Sequence, residues 1–227
     1  ETYRCWLRTH ILALDTALSD HETDWLDWLD AHYCSSSDTA LLNIRDFAED
    51  EVPALDTVEL VNRMALLSAA SPMDLDWNPV VHSRIRFYAS KRRQHLGKML
   101  GRAPAYFPIF EEILDKNGLP TELKYISVIE SNLNPSAVSW CGATGLWQFM
   151  PYTGKLMGMR IGYPCDDRKS IVASTQKACE YFANSQSIFN NWLFSIASYN
   201  CGPGNVQKAI RRSGGRTNFW EVLPFLP

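Results

Sequence analysis

The sequence predicts an all-α protein. Apolar residues recur at spacings of three and four in successive segments, as they do on one face of a helix. No segment shows the strict alternation of apolar and polar residues that marks a half-buried strand. Because 46% of the 227 residues are hydrophobic, the chain can build the core of one large domain or of two small ones.

The first 77 residues are predicted to form a helical region of unknown role. Over residues 3–19, apolar side chains recur at spacings of four, three and four, at Leu7, Ile11, Leu14 and Leu18. Further helices are predicted over residues 23–33, 39–48 and 57–70. A capping box from Asp56 to Glu59 opens the last of these helices.

A polar stretch between Pro72 and Pro79 is the predicted domain boundary. It separates residues 1–77 from a second domain over residues 78–227. In this second domain, apolar spacing and the positions of Gly and Pro predict further helices. They span residues 79–97, 105–116, 120–130, 145–149, 170–189, 191–200, 205–212 and 219–223.

Charge and residue counts exclude several classes of function. A net charge of -3 excludes a broadly basic nucleic-acid binder. The chain has no run of about 18 apolar residues, so no segment is predicted to span a membrane. The six cysteines form no CxxC pair and all five histidines precede residue 96, so we expect neither a zinc cluster nor any other cofactor.

The even number of cysteines permits disulfides in an exported protein. If the first two helices form an antiparallel hairpin, Cys5 and Cys34 come close, and this pair is the predicted bridge. The first residue is Glu1 rather than Met, so the lack of an export signal does not indicate the compartment. The other cysteines are predicted to be buried free thiols, at Cys141, Cys165, Cys179 and Cys201.

One carboxylate in the helix predicted over residues 120–130 is a candidate catalytic group. Pro120 opens this helix, and its interior is apolar on every side, which predicts that it is buried. Glu130, at its end, shares a face with Leu123 and Ile126. Either this carboxylate finds a salt bridge or merely ends the helix, or desolvation raises its pKa and makes it a general acid. The local pattern alone favours neither.

Three short motifs resemble those of a known family. They are Glu130-Ser131, Gly145-Leu146-Trp147-Gln148 and Ser198-Tyr199-Asn200, in this order. The segments around them fit the same pattern, at Asn134-Pro135, Phe149-Met150-Pro151 and Asn200-Cys201-Gly202-Pro203-Gly204. Together they resemble the signature motifs of the lysozyme-like lytic transglycosylases, most closely the membrane-bound lytic murein transglycosylase D group. The resemblance covers roughly residues 78–227, and Ser198 stands where that family usually has Ala.

The resemblance implies a lysozyme-like (goose-type or SLT) helical catalytic domain. It implies cleavage of the β-1,4 bond between N-acetylmuramic acid and N-acetylglucosamine without added water, which leaves a 1,6-anhydromuramic end. Glu130 is then both acid and base. The residues implied to bind the substrate or shape its site are Ser131, Gln148, Tyr199 and Asn200, with the Tyr199 hydroxyl hydrogen-bonded toward Glu130.

The same resemblance implies a partner and a compartment. The expected partner is the glycan strand of peptidoglycan, and no nucleic-acid partner is expected. We expect a monomer in the periplasm, anchored to the outer membrane as a lipoprotein in its full-length form. The family normally continues past Pro227, so the catalytic domain is expected to be truncated at its C-terminal end.

Other interpretations stay open at this point. A goose-type lysozyme would add water to the same bond, and a glycan-binding or scaffold protein would keep the fold without turnover. Asp166 and Asp167 are either helix-capping charges or a second catalytic carboxylate. Cysteine peptidase chemistry at Cys141 or Cys201 is disfavoured, because no histidine lies in their half of the chain.

Overall fold

The computed structural model describes residues 56–227, and this part of the chain is helical. Nine α-helices and two 3₁₀ helices follow one another in it, while β-pairing among the same residues is limited to three isolated bridges. The predicted all-α class is confirmed. The α-helices are α1 (Thr57–Ala70), α2 (Pro79–Ala89), α3 (Arg93–Lys116), α4 (Lys124–Ser131), α5 (Pro151–Leu156), α6 (Ile171–Phe189), α7 (Trp192–Cys201), α8 (Pro203–Arg212) and α9 (Phe219–Val222), and the 3₁₀ helices are Thr121–Leu123 and Leu223–Phe225.

Helix α1 begins where the capping pattern predicts. The Asp56 carboxylate accepts a hydrogen bond from the Val58 N–H at 3.0 Å. Glu59 pairs with Arg63 one turn later, so the reciprocal half of the predicted capping box is not formed. Helix α1 has no buried side chain among the described residues, whereas Met73, just beyond it, lies in the core. The domain boundary between residues 77 and 78 stays a prediction.

The structure differs from the predicted bounds of two helices around α3. The helix predicted over residues 79–97 ends at Ala89, and α3 then runs for 24 residues without a break at Pro104 or Pro108. Each proline removes one backbone hydrogen bond, which normally ends or bends a helix. Here the buried face of α3 outweighs that loss, because packing decides most helical stability. That face carries Met99, Ala103, Ala105, Tyr106, Ile109, Phe110 and Leu114.

The core is centred on Trp147, which is fully buried. Its ring packs against Phe110 of α3 and Phe182 of α6, with centroids 5.4 Å and 6.5 Å away. Its indole N–H donates to the Thr175 hydroxyl at 2.9 Å, so the buried polar atom is satisfied. A smaller cluster is formed at the C-terminal end by Phe194, Val206, Ala209 and Val222.

The remaining elements predicted within residues 56–227 agree with the structure except around residues 145–156, and the helices predicted over residues 3–19, 23–33 and 39–48 lie outside the described residues. The predicted helix over residues 145–149 is a turn, and the six-residue helix α5, which was not predicted, follows it at Pro151. Cys179 and Cys201 are buried and half-buried free thiols, but Cys141 and Cys165 are exposed, so the prediction of burial was wrong for these two.

The disulfide predicted between Cys5 and Cys34 lies outside the described residues. Within residues 56–227, the structure contains no helix that combines the length and the hydropathy needed to cross a membrane.

Candidate active site

Helix α4 places Glu130 in its last turn. The helix ends because Asn132 adopts a left-handed backbone with φ of 55°, and its N–H bonds to the Val128 carbonyl at 3.0 Å. Leu123 and Val128 anchor the helix in the core, whereas Ile129 is 64% exposed. The expectation that this helix is buried on all sides was therefore wrong. One face is packed and the other is open to solvent.

The Glu130 carboxylate is half-buried and has no bonded partner. Among residues 56–227 it makes no hydrogen bond and no ion pair. Partial removal from water disfavours its charged form and raises its pKa above the ordinary value of 4.5. The structure thus lacks the salt bridge that would hold this side chain ionised.

The end of α4 is held from the side by α3. The His95 ring Nε2 lies 2.9 Å from Oδ1 of Asn132, and an Arg102 Nη1–H donates to the Asn132 carbonyl at 3.3 Å. Both contacts fix the residue that ends the helix, two positions after Glu130. Sequence reasoning missed these two residues, because 30 or more positions separate them from the motif.

The loop after Glu130 folds back onto the Gly145-Leu146-Trp147-Gln148 turn. The Gly145 N–H donates to the Ala137 carbonyl at 2.9 Å, and the Thr144 N–H donates to the Phe149 carbonyl at 3.1 Å. Gly145 has φ of +84°, and a Cβ there would lie 1.8 Å from the Arg168 carbonyl oxygen. Only glycine fits this position, since a side chain would meet both an unfavourable backbone and a collision.

Gln148 closes this loop with its side chain. Its Nε2 donates to the carbonyl oxygens of Ala137 at 3.1 Å and Gly145 at 2.9 Å. Both donor hydrogens of the amide are therefore used within the protein. The amide oxygen accepts no hydrogen bond from any residue in the described range, so it is the part of Gln148 that can meet a ligand.

Tyr199 lies beside this turn at the end of α7. Its hydroxyl donates to the Trp147 carbonyl at 2.6 Å, and its ring stacks on Phe182 with centroids 4.9 Å apart. Burial raises the phenol pKa well above 10.0, and the negative charges of Glu130 and then Tyr181 raise it further. Glu130 is thus an electrostatic neighbour of Tyr199. The predicted hydrogen bond between them is not formed, because the hydroxyl proton is directed to Trp147.

The other two residues of the predicted site differ in accessibility. Ser131 is buried, and its hydroxyl donates to the Ser127 carbonyl one turn earlier at 2.9 Å, so it is occupied within α4. Asn200 is exposed, and its side-chain amide has no hydrogen-bond partner in the described part of the chain. Of the two, only Asn200 presents free polar atoms to solvent.

The two aspartates considered as a second catalytic carboxylate are held by arginines. Asp166 pairs with the buried Arg168 at 2.7 Å, and Asp167 pairs with Arg160 at 2.9 Å. Desolvation raises the pKa of each carboxyl, but hydrogen bonds from the arginine prevail and the pKa is lowered. Neither caps α6, because Ser170 caps that helix.

Arg168 joins two sides of the site. Besides Asp166, its guanidinium donates to the carbonyl oxygens of Gly142 at 2.8 Å and Phe149 at 3.3 Å. It therefore fixes both ends of the segment that contains the Gly145–Gln148 turn. The sequence carries no helical spacing or motif that singles out this residue. Within residues 56–227, no group of three or more His, Cys, Asp or Glu residues is arranged to hold a metal ion.

Comparisons with known proteins identify the family of the chain. The transglycosylase SLT domain family matches residues 107–220, half of the chain, and this range contains Glu130, Gln148 and Tyr199. The chain is 32% identical over 136 residues to membrane-bound lytic murein transglycosylase D of Escherichia coli K12, covering 58% of this chain and 30% of that protein. It is 32% identical over 133 residues to the soluble lytic murein transglycosylase of the same strain, covering 53% of this chain and 20% of the relative.

One similar solved structure is an inactive mutant of the lytic transglycosylase Slt from Pseudomonas aeruginosa. The match has a TM-score of 0.42 and a sequence identity of 18%, and it covers 78% of this chain and 36% of the Slt chain. The chain thus spans about a third or less of the length of these proteins. Because the family model matches residues 107–220, the chain belongs to the transglycosylase SLT domain family.

Proposed function

We propose that this protein is a peptidoglycan lytic transglycosylase, a lyase that cleaves the bond between N-acetylmuramic acid and N-acetylglucosamine without water. Family membership and relatives named lytic murein transglycosylases support the substrate class. One observation carries the mechanism. Glu130 is half-buried, has a raised pKa and has no hydrogen-bond or ion-pair partner among the described residues, so it can hold a proton and give it to a ligand.

In the first step Glu130 acts as the acid. Its carboxylic proton passes to the glycosidic oxygen as the bond from that oxygen to C1 of the muramic residue breaks, and N-acetylglucosamine leaves as an alcohol. Positive charge develops at C1, as in other glycosidic cleavages. The 2-acetamido oxygen of the same sugar stabilises this charge, so the chemistry needs no second carboxylate from the protein.

In the second step the same side chain acts as the base. The Glu130 carboxylate takes the proton of the C6 hydroxyl, and O6 forms the new bond to C1. The product is a 1,6-anhydro ring, and Glu130 regains the proton that it lost. A group that acts as both acid and base works best with a pKa near the ambient pH, which desolvation favours here.

The neighbouring polar groups take different roles in this scheme. Because the Tyr199 hydroxyl donates to Trp147, it does not donate to the Glu130 carboxylate, and the absence of such a bond favours the protonated acid. The Gln148 amide oxygen and the Asn200 amide contact the substrate, since they have no partner among the described residues. Ser131 keeps α4 in place through Ser127.

The setting of the protein is part of the same proposal. A peptidoglycan substrate places the protein in the periplasm, and a lipid anchor at the outer membrane fits the membrane-bound relative. We also propose that residues 78–227 act as the catalytic domain and that the protein is monomeric.

The proposal is tested by digesting purified peptidoglycan sacculi with the protein and measuring the masses of the products by mass spectrometry. We expect muropeptides with anhydro ends, lighter by one water molecule than reducing ends, and we expect Glu130→Gln to abolish their release. Glu180→Gln, which removes a carboxylate paired with Lys177 on α6, is the matched control and should leave the rate unchanged. Reducing ends would identify a lysozyme-type hydrolase instead. Full activity of Glu130→Gln would exclude the proposed mechanism.

A further inference from the structure

Three aromatic side chains are unusually exposed for residues of their size. Trp140, Tyr152 and Tyr163 have 97%, 78% and 103% of their reference surface open to solvent, more than any other aromatic side chain in residues 56–227. Leaving a large ring in water forgoes the free energy that its burial would contribute. Exposed apolar groups that lie together mark a surface that meets a partner. We refer to these three residues as the aromatic surface.

Trp140 is presented by a rigid turn. The Gly142 N–H donates to the Ser139 carbonyl at 2.9 Å, and the Ser139 N–H donates to the Ala143 carbonyl at 2.8 Å. The Ala143 N–H also donates to the Ser139 hydroxyl at 3.0 Å. With its flanking residues bonded in this way, the exposed ring is held on a fixed backbone, so little order is lost when it binds.

The segments that carry the three rings pack together at helix α5. Tyr152 belongs to α5, and Gly142 of the Trp140 turn lies against its first residue, because a Cβ on Gly142 would be 3.7 Å from Pro151. Tyr163 sits in a second turn, closed by a hydrogen bond from the Gly162 N–H to the Cys165 carbonyl at 3.1 Å. The Ile161 side chain of that turn packs against Gly154 of α5.

Trp140 joins the aromatic surface to the candidate site. A single loop runs from Asn132, just after α4, to Trp140, and its Ala137 carbonyl accepts hydrogen bonds from Gly145 and Gln148. Trp140 lies three positions after Ala137, so the Cα atoms of the two residues are within about 11 Å of each other. A long polymer bound at the candidate site therefore has a further contact point close by, at Trp140.

The charges beside the rings are mostly paired. Arg160 binds Asp167 and Arg168 binds Asp166, whereas Lys155 on α5 is exposed and makes no ion pair among residues 56–227. A surface that docks on anionic lipid combines its apolar groups with a cluster of several positive charges, and one free lysine is a small excess. The flat apolar faces of the rings suit the C–H face of a pyranose ring, and the loop that Trp140 shares with the candidate site favours a glycan strand as the ligand.

We infer that the aromatic surface binds sugar residues of the peptidoglycan glycan strand beyond those held at Glu130, with Trp140 and Tyr152 stacking on pyranose faces. The inference rests on the proposed function and deepens it, because it assigns residues that favour a long strand over a short fragment. None of the three belongs to the motifs that placed Glu130, Gln148 and Tyr199 in the candidate site.

The test separates binding from turnover by using the full chain with Glu130→Gln. Co-sedimentation with purified sacculi is compared for this protein and for the same protein carrying Trp140→Ala and Tyr152→Ala. We expect the two added changes to weaken sedimentation about tenfold, as the loss of two stacked rings would. Leu156→Ala is the matched control, because Leu156 is 75% exposed on the same helix but has no ring. It should bind like the parent.

A second measurement uses the chain with Glu130 intact. Trp140→Ala with Tyr152→Ala should raise KM for long soluble glycan strands about tenfold, while turnover of a tetrasaccharide fragment stays unchanged. Circular dichroism should show unaltered folding, since both side chains lie in solvent.

Three outcomes would overturn the inference. The first is that the double variant binds sacculi as well as the Glu130→Gln parent does, or that this parent does not bind them at all. The second is an equal loss with Leu156→Ala. The third is that the Glu130→Gln parent binds phosphatidylethanolamine and phosphatidylglycerol vesicles, and that the double variant loses this binding but still binds sacculi. The proposed function fails on a different result, undiminished turnover by Glu130→Gln.

Discussion

The Tyr199 hydroxyl lies 2.6 Å from the carbonyl oxygen of Trp147. This bond ties the end of α7 to the turn that carries Gln148, across 52 residues of sequence. It also decides what the phenol can offer to Glu130, since its only proton is already used. The tyrosine therefore cannot donate a hydrogen bond to the Glu130 carboxylate, a bond that would favour the charged form.

Tyr199→Phe should slow turnover by about tenfold or more while leaving substrate affinity almost unchanged. The change removes the hydrogen bond that ties the end of α7 to the turn carrying Gln148, and small errors of position are costly in catalysis. The loss of one hydrogen bond should lower the free energy of unfolding by only about 1 kcal/mol. Steady-state kinetics on soluble glycan strands measures kcat and KM separately.

Tyr181→Phe is the matched control for that experiment. Tyr181 also donates to a backbone carbonyl, that of Ser198 at 2.6 Å, and it packs edge-on against Tyr199. It should lose similar stability but little activity. Equal effects of the two changes on kcat would show that Tyr199 only supports the fold.

The pH dependence of kcat/KM should report the raised pKa of Glu130. The free protein needs this carboxyl protonated, so the rate should fall as the pH rises through its pKa, at a pH above the 4.5 of an ordinary glutamate. Initial rates on a soluble substrate between pH 4 and pH 9 give the profile. A profile that already falls near 4.5 would mean that the carboxyl is not desolvated in the free protein.

Replacing the same residue should also change the pH dependence of stability. Because the native pKa is above the unfolded value of 4.5, the native state binds more protons than the unfolded chain between these two values. Stability therefore falls as the pH rises through this window and stays lower above it. Glu130→Gln removes that loss, so thermal unfolding should show a higher midpoint than wild type at pH 7 and a smaller difference at pH 4.

Asp166→Asn should be much more damaging than Asp167→Asn. Arg168 has 8% of its side chain exposed, so loss of its partner leaves a buried charge and should cost about 3 kcal/mol of unfolding free energy. Arg160 has 75% exposed, and loss of its pair should cost about 1 kcal/mol or less. Chemical denaturation at pH 7 measures both, and equal costs would contradict the role given to Arg168.

The motifs and the helical periodicity predicted much of the fold and the places of two candidate site residues along their helices. The pattern placed Glu130 at the end of a short helix and Tyr199 at the end of a later one, and both lie there. Residue spacing along one helix is enough for such statements, because a helix repeats with a fixed period.

What the sequence did not predict depends on contacts between distant segments. The continuation of α3 through Pro104 and Pro108 is decided by the packed face opposite, which no local rule contains. The hydroxyl of Tyr199 found a backbone carbonyl rather than Glu130, and backbone atoms carry no residue signature. The exposed face of α4 was missed for a similar reason, since the residue types of one helix do not show which of its sides other segments cover.

The glycine at position 145 limits how this protein can be diversified. Because the carbonyl oxygen of Arg168 occupies the space where a first side-chain carbon would stand, a mutational library across this turn should recover glycine alone at that site. Neighbouring Trp140 meets no such restriction and should accept many replacements without loss of folded protein. Variation in strand preference can therefore be explored at the tip of the loop while its base is left untouched.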